Sequence, residues 1–215
     1  MVARALFLDR DGTLVWPYHY PSRPEHLRLY PDLAPELAWF QARGWRLVVV
    51  TNQGGLARGY FDAAALERLH AHLRAVLAAE GVVLDAIYHC PHHPQGVVPA
   101  LARACDCRKP APGLLLRAAG ELGLDLAGSW MIGDILDDIE AGHRAGCRAV
   151  LVDLGTEPRP TTALRWPDYV ARDTRHALRL VRAVETGDPM VERGYRPAAW
   201  CPPGAPTPAT SGSGR

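Results

Sequence analysis

The sequence predicts an α/β fold built on a Rossmann-like, doubly wound parallel sheet. Along residues 3–186, short apolar runs alternate with longer segments whose apolar residues recur three and four positions apart, which is the pattern of repeated βαβ units. The short runs are apolar at nearly every position, as strands covered on both faces require. With 215 residues, 48% of them hydrophobic, the chain is long enough for one domain with a sizeable core.

Five apolar runs are the predicted strands. Each is short and is followed by a polar or glycine residue that would end it. Because the strands are predicted to be parallel, their carboxyl ends should meet at one edge of the sheet, where open α/β sheets bind ligands. In chain order the predicted strands are Arg4–Leu8, Arg46–Val50, Ala86–Tyr88, Trp130–Ile132 and Ala149–Val152.

Four amphipathic helices are predicted from apolar spacing and from the residues at their ends. Asp32 and Asp62 are the predicted caps of the first two, because a carboxylate accepts hydrogen bonds from the unpaired N–H groups of a first turn. Pro112 suits the first turn of the third, since its fixed φ angle matches a helix. The last helix is predicted over Thr174 to Glu185. Glycines should end the four helices, at Gly44, Gly81, Gly123 and Gly187.

Charge and apolar run length argue against two classes of partner. The 24 Lys and Arg and 23 Asp and Glu leave a net charge of +1, too little to attract nucleic acid or an anionic membrane. The apolar runs are far shorter than the ~20 residues that span a bilayer. Asp9, Arg10 and Asp11 interrupt the N-terminal apolar run before it could serve as a signal peptide. We therefore expect a cytoplasmic protein, a monomer, without nucleic-acid or membrane partners.

The composition changes after residue 186. More than half of the residues from Gly187 to Arg215 are Gly, Pro, Ser or Thr, with too few apolar groups to offset the entropy of ordering them. We therefore assign residues 1–186 to one domain and predict a mostly disordered tail over residues 187–215. Trp200 and Cys201 are the tail residues that could dock locally.

Polar groups follow the first two predicted strands. Two carboxylates lie in Asp9-Arg10-Asp11-Gly12-Thr13, where a polar turn alone would be an alternative explanation. The second strand is followed by a hydroxyl, two amides and flexible backbone, which suit an oxyanion. These residues are Thr51, Asn52, Gln53 and Gly54.

A lysine and two further carboxylates extend this set. Lys109 lies in Cys107-Arg108-Lys109-Pro110, and Asp134 follows the fourth strand. Asp138 comes four residues after Asp134 and should share a helical face with it. Four motifs in this order, each at the end of a strand or helix, are a highly specific signal.

The ordered set DxDGT, TN, K and GDxxxD resembles the haloacid dehalogenase (HAD) superfamily of phosphohydrolases over about residues 3–155. By that resemblance, Asp9 is the nucleophile that becomes a phosphoaspartate. Asp11 would protonate the leaving alcohol and then take a proton from the hydrolytic water. An Asp at position 11 favours phosphate-ester hydrolysis, because members that dehalogenate lack it and ATP-driven pumps carry Thr there. The resemblance also implies a compact domain with no large cap.

The same resemblance implies a metal and two phosphate-binding side chains. Mg²⁺ would be held by Asp9, Asp134 and the backbone carbonyl of Asp11, since a carboxylate that attacks an anionic phosphate needs charge compensation. Thr51 and Lys109 would bind the phosphoryl oxygens in the transition state.

Three cysteines and a histidine occur in one loop after the third predicted strand. Cys90-Pro91-His92 and Cys105-Asp106-Cys107 supply Cys90, His92, Cys105 and Cys107, whose number and chemistry suit a tetrahedral Zn²⁺. Four protein ligands leave no position for water, so the predicted site is structural. Free cytosolic thiols beside a surface histidine are the alternative, and His89 and His93 are alternative ligands. A metal ion bound to this loop would also fix the position of Lys109.

Within the superfamily, residues 88–96 and 105–110 resemble the heptose bisphosphate phosphatases, and the histidinol-phosphate phosphatases share the cysteine loop. The resemblance implies removal of the 7-phosphate of D-glycero-D-manno-heptose 1,7-bisphosphate, with histidinol phosphate or a broader range of sugar phosphates as alternatives. Arg108 would recognise the second phosphate or the sugar. The predicted substrate-binding residues are Tyr20, Asn52, Gln53, Gly54, Arg108 and Lys109. A zinc-stapled binding protein that has lost catalysis is the alternative from another class.

Two positions depart from the heptose phosphatase pattern. The family usually has Lys directly after the last-motif Asp, where this chain has Ile135. Its Asp-His pair before the loop tyrosine corresponds here to Pro17 and Tyr18, while Tyr20 is retained. These changes leave the predicted catalytic residues intact and bear on the choice of substrate.

Overall fold

Six parallel strands form the central sheet of the computed structural model, which describes residues 2–188. They are β1 (Ala5–Leu8), β2 (Arg46–Asn52), β3 (Ala86–Cys90), β4 (Trp130–Gly133), β5 (Arg148–Val152) and β6 (Tyr169–Ala171). Their spatial order is β3-β2-β1-β4-β5-β6, and all the pairings are parallel. The direction of winding reverses between β1 and β4, which makes their carboxyl ends the expected ligand-binding position. The predicted doubly wound parallel sheet is confirmed.

Helices cover both faces of the sheet. They are α1 (Ala34–Gln41), α2 (Ala63–Ala79), α3 (Gly113–Leu122), α4 (Leu136–Ala145) and α5 (Thr174–Thr186). Side chains of β1 alternate between two core clusters: Leu6 and Leu8 lie in the cluster with α1, α2 and α5, while Ala5 and Phe7 lie in the one with α3 and α4. Apolar residues on both faces explain why the strands read as continuous apolar runs.

Asp32 does not cap α1, so that prediction is wrong. Leu33 holds the position before the helix, and Asp32 has a left-handed backbone with φ of 59°. The Asp32 carboxylate instead accepts a hydrogen bond from Arg175 of α5 at 3.0 Å. An ion pair from the segment before α1 to α5 takes the place of the predicted cap.

The other predicted helix ends agree with the structure to within a few residues, the largest difference being at Gly44, since α1 already ends at Gln41. Asp62 accepts a hydrogen bond from the Ala65 backbone N–H at 2.7 Å and so caps α2. Pro112 lies directly before α3 rather than within its first turn. Gly123 and Gly187 end α3 and α5 in left-handed conformations.

The sequence does not predict β6. Tyr169–Ala171 has three residues, too few for either an alternating pattern or a recognisable apolar run. Pairing with β5 along the edge of the sheet, and not local sequence, defines this strand.

Two long connections lie at the carboxyl edge of the sheet, residues 9–33 after β1 and residues 91–112 after β3. Neither contains an inserted domain, so the predicted absence of a large cap holds for residues 2–188. Over the same residues, the helices are all too short or too polar to cross a membrane. The predicted tail lies outside the described residues from position 189 onward.

Candidate active site

Three buried carboxylates meet at the carboxyl ends of β1 and β4. Asp9 follows β1, Asp134 follows β4, and Asp138 lies in the first turn of α4. One ligand oxygen from each lies within 4.8 Å of the others. Asp134 precedes α4, so the predicted shared helical face with Asp138 is wrong. The turn from β4 into α4 brings these two side chains together.

Two glycines make this approach possible. A Cβ atom on Gly12, whose φ is 89°, would lie 2.2 Å from Asp134 Oδ2. A Cβ on Gly133 would lie 2.2 Å from Asp138 Oδ2. Any larger residue would overlap the carboxylates, and this explains the glycine in DxDGT and the one before Asp134.

Lys109 is the cation of this cluster. Its buried Nζ lies 2.5 Å from Asp9 Oδ1 and 2.5 Å from Asp138 Oδ1, and it donates to the Val50 carbonyl at 2.9 Å. Although burial lowers the pKa of Lys109, the carboxylates of Asp138 and Asp9 raise it above its ordinary value. The lysine therefore stays charged and offsets part of the carboxylate charge.

The Asn52 side chain positions Lys109 by binding the Lys109 backbone. The Asn52 amide donates to the Lys109 carbonyl at 3.0 Å and accepts from the Lys109 N–H at 3.0 Å. The carboxyl end of β2 thereby anchors the loop that carries the lysine. The Asn52 amide, predicted to bind substrate, has both ends engaged in this contact.

The donor set of this cluster fits a hard divalent cation. Burial, with the neighbouring carboxylates adding to it and the Lys109 charge opposing it, raises the pKa of Asp9 to about 7 and that of Asp134 to about 8. Thr13 Oγ1 donates to Asp134 Oδ1 at 3.1 Å and orients that carboxylate. Three crowded carboxylates against one lysine leave negative charge that an oxygen-preferring ion such as Mg²⁺ would balance.

The Asp11 carboxylate has hydrogen-bond partners of its own. It accepts hydrogen bonds from Arg10 Nη2 at 2.7 Å and from Gln53 Nε2 at 3.0 Å. Gln53 Nε2 also donates to Thr51 Oγ1 at 2.8 Å, which connects the predicted phosphate-binding strand end to Asp11. The sequence does not indicate this role for Arg10, whose side chain is fully buried. Its position between two aspartates is the only signal that the sequence offers.

A cavity of about 250 Å³ opens beside Asp11. Five of the predicted substrate-binding or entrance residues line it, namely Tyr18, Tyr20, Asn52, Gln53 and Gly54. A Cβ on Gly54 would lie 3.4 Å from Arg108 Nη1, so the Arg108 guanidinium lies beside a residue that lines this cavity. The structure therefore brings Arg108 and the Tyr20 loop close to one opening, which Asp11 also lines.

The four predicted zinc ligands also come together. Cys90 Sγ lies 3.5 Å from Cys105 Sγ and 3.2 Å from Cys107 Sγ, and the latter two sulfurs are 3.3 Å apart. His92 Nδ1 lies 3.3 Å from Cys107 Sγ. These separations are slightly below the ~3.8 Å edge of a tetrahedron with zinc–sulfur bonds of about 2.3 Å. The donor set and its arrangement fit one tetrahedral ion.

The alternative histidine ligands lie outside this group. His93 Nε2 faces Arg58 Nη2 at 3.1 Å. His89 groups with Glu67 and His70 on the other face of β3. Burial raises the pKa of the Cys90 thiol, so a bound cation would be needed to keep it as a thiolate.

A parallel sheet with these carboxylates and this lysine at its switch point defines a phosphohydrolase of the HAD class. A HAD-hydrolase-like family model matches residues 106–177. The chain is 42% identical over 153 residues to the D-glycero-beta-D-manno-heptose-1,7-bisphosphate 7-phosphatase of Escherichia coli, covering 71% of this chain and 76% of the relative. The enzyme of the same name from Mesorhizobium japonicum is 40% identical over 183 residues, covering 85% of this chain and 82% of the relative.

Structural comparison gives the same result. The D,D-heptose 1,7-bisphosphate phosphatase of B. bronchiseptica, solved with magnesium and phosphate, superposes with a TM-score of 0.71 at 31% identity. The match covers 85% of this chain and 99% of that one. The chain belongs to the family of D-glycero-beta-D-manno-heptose-1,7-bisphosphate 7-phosphatases, and it is a phosphatase.

Proposed function

We propose that this enzyme removes the 7-phosphate of D-glycero-D-manno-heptose 1,7-bisphosphate through a phosphoaspartate on Asp9. The observation that carries the proposal is the pairing of Asp9 Oδ1 with Lys109 Nζ at 2.5 Å, together with a cavity that Asp11 and Gly54 line and a guanidinium, that of Arg108, beside Gly54. A buried carboxylate beside a charged lysine can attack phosphorus while the lysine balances the phosphoryl charge. Relatives that cover most of the chain carry this activity in their names.

The two half-reactions assign distinct roles to Asp9 and Asp11. A carboxylate oxygen of Asp9 attacks phosphorus, the bond from phosphorus to the sugar oxygen breaks, and Asp11 gives that oxygen its proton. Asp11 then takes a proton from water, which attacks phosphorus and releases Asp9 and inorganic phosphate. Arg10 and Gln53 hold Asp11 in place for both transfers. Thr51 and Lys109 bind the phosphoryl oxygens.

Asp9, Asp134 and the carbonyl of Asp11 would hold the Mg²⁺, and the buried Asp138 would balance Lys109 beside them. When bound, the ion supplies positive charge that lets one anion approach another. The crowding of three carboxylates around one lysine supports this assignment. Removal of Mg²⁺ should therefore abolish turnover.

We also propose a structural zinc in the loop of Cys90, His92, Cys105 and Cys107. The short separations among the four ligand atoms support it. The ion would fix the segment that leads directly into Arg108 and Lys109. The cysteines that the structure describes are all free, which fits a reducing cytoplasm.

The proposed enzyme is a cytoplasmic monomer whose catalytic domain spans residues 1–186. A net charge of +1 supports a small-molecule substrate over nucleic acid or a membrane surface.

A turnover screen tests the substrate. Heptose 1,7-bisphosphate, fructose 1,6-bisphosphate, hexose monophosphates and histidinol phosphate are compared with Mg²⁺ present, and Asp9→Asn serves as the blank. We expect the highest kcat/KM for heptose 1,7-bisphosphate. A preference for histidinol phosphate would identify histidinol phosphate as the substrate. Equal rates on every sugar phosphate would instead show that the enzyme has broad specificity. Folded, zinc-loaded protein that hydrolyses none of them would instead be a binding protein.

A further inference from the structure

A second group of metal-ligating side chains lies between α2 and β3. Glu67 and His70 are one turn apart on α2, and His89 projects from β3. One ligand atom from each lies within 4.8 Å of the others. The group lines a cavity of about 670 Å³, so an ion can reach it from solvent. Neither the carboxylate cluster nor the cysteine loop includes these residues.

His70 joins this group to the active site. Its buried ring lies 5.5 Å from the His89 ring, and its Nε2 atom is 3.5 Å from Arg10 Nη1. Arg10 in turn donates to Asp11 at 2.7 Å. A single residue therefore separates the histidine from the carboxylate to which the proposed function assigns proton transfer.

We propose that Glu67, His70 and His89 bind a divalent first-row transition-metal ion, and that this ion slows the phosphatase by releasing Arg10 from His70. Two imidazoles and one carboxylate suit Zn²⁺, Ni²⁺ or Co²⁺ better than Mg²⁺. Three protein ligands leave open positions for water, so the ion would exchange more readily than one held by four. The effect on turnover rests on the proposed role of Asp11, while the binding itself does not.

The release of Arg10 follows from the single lone pair of a neutral imidazole. Burial lowers the pKa of His70 to about 3, so its ring is neutral at physiological pH. Arg10 is a donor, so the nitrogen that faces it must carry the lone pair. An ion bound at that nitrogen displaces Arg10. An ion bound at the other nitrogen moves the proton to Nε2, where it opposes an Arg10 N–H.

The charges around the group permit a cation. Glu67 supplies a carboxylate, while the Arg10 charge is already offset by Asp11. Arg117, which lines the same cavity, is paired with Glu121 at 2.7 Å. Arg74 also lines the cavity and donates to the Leu84 carbonyl at 2.6 Å, so its charge opposes the ion, while the carboxylates of Glu67 and Asp106 in the same cavity favour it.

Calorimetry tests the binding without relying on activity. Protein that retains its loop zinc is titrated with Ni²⁺ in saturating Mg²⁺, and its zinc content is measured before and after. We expect one Ni²⁺ per chain, with affinity at least about tenfold lower in Glu67→Gln and in His89→Gln. His72→Gln removes another histidine of α2 and should leave the affinity unchanged. Absence of the binding event, or equal affinity in all four proteins, would overturn the site.

Turnover in the same titration tests the link through Arg10. Saturating Ni²⁺ should lower kcat roughly tenfold in wild type and in His72→Gln, but not in Glu67→Gln or His89→Gln. Without Ni²⁺, the two cluster variants should match wild type. Nickel binding that leaves wild-type kcat unchanged would overturn the link. Absence of phosphatase activity before nickel is added would instead reject the proposed function, while calorimetry would still decide the site.

Discussion

The carboxylate cluster and the cysteine loop both collect metal ligands, but the chain holds them together in different ways. Asp9 and Asp134 sit at the buried ends of neighbouring strands, and Lys109 already neutralises part of their charge. Cys105 and Cys107 lie partly exposed in a connection of 22 residues that contains no helix or strand. The sheet itself assembles the first group, whereas the second depends on the ion that its ligands share.

Because of this difference, substitutions in the two groups of ligands should affect activity and stability separately. Changing a ligand in the carboxylate cluster should remove chemistry while the sheet keeps its fold. Changing a ligand in the loop should first cost stability, and should reach the chemistry only through Arg108 and Lys109.

The largest effect is expected for Asp9→Asn. An amide is a poor nucleophile, and it also removes a negative ligand, so kcat should fall by roughly 10³-fold or more. Stability should not fall with it, because the native carboxylate is buried beside two other carboxylates. Steady-state phosphate release and a thermal melt measure the two quantities. A variant with wild-type turnover would rule out the phosphoaspartate, and one with a much lower Tm would show that the cluster also supports the fold.

Arg108→Ala should have the next largest effect, and only on bisphosphates. A charged hydrogen bond is worth about 1.5–3 kcal/mol, so kcat/KM for heptose 1,7-bisphosphate should fall roughly 10- to 150-fold. Hexose monophosphates lack the second phosphate and should lose much less. Ile135 stands where the family usually has a lysine, so one positive charge near the substrate is missing. We therefore expect a weaker dependence on the second phosphate and a loss in the lower part of that range. An equal loss on both substrate classes would mean that Arg108 supports the loop rather than the distal phosphate.

Cys105→Ser should mainly lower stability, whereas Asp9→Asn should mainly lower activity. The loop should lose its zinc, and Tm should fall by at least about 5 °C, since each 1 kcal/mol is worth about 2–4 °C in a chain of this size. Turnover below the melting range should fall less than tenfold, through displacement of Lys109. Elemental analysis and calorimetry measure both effects. Cys147→Ser, at a buried cysteine outside the loop, is the control that should keep the zinc.

Much of this site is predictable because it lies where strands end. Asp9, Thr51 and Asp134 each follow an apolar run, and parallel strands bring such positions to one edge. The cysteine loop is predictable for a different reason, since its ligands are close in sequence. Neither argument requires knowledge of long-range side-chain contacts.

The features that sequence reasoning misses all depend on tertiary contacts. Arg10 is in the motif itself, but its bond to Asp11 and its approach to His70 need the packing of α2 against the sheet. From the sequence, Asn52 is expected to bind a ligand through its amide, but in the structure both ends of that amide bond to the Lys109 backbone. Asp32 has the residue type of a cap, yet Leu33 holds the cap position and the Asp32 carboxylate bonds to Arg175 of α5 instead.

The smallest expected effect is a dependence of stability on pH that Mg²⁺ removes. Asp9 and Asp134 have pKa values raised from 3.8 to about 7 and about 8, so the folded protein holds their protons more tightly than the unfolded chain does. Without Mg²⁺, stability should therefore fall as the pH rises from about 4 to about 8, lowering Tm by at least about 3 °C. Added Mg²⁺ should restore Tm more at pH 8 than at pH 5, because it binds the ionised carboxylates. Thermal melts at the two pH values measure this, with Asp9→Asn as a variant that should respond less and Cys105→Ser as one that should respond like wild type. A magnesium effect of equal size at both pH values would mean that these carboxylates are not the ones that take up the ion.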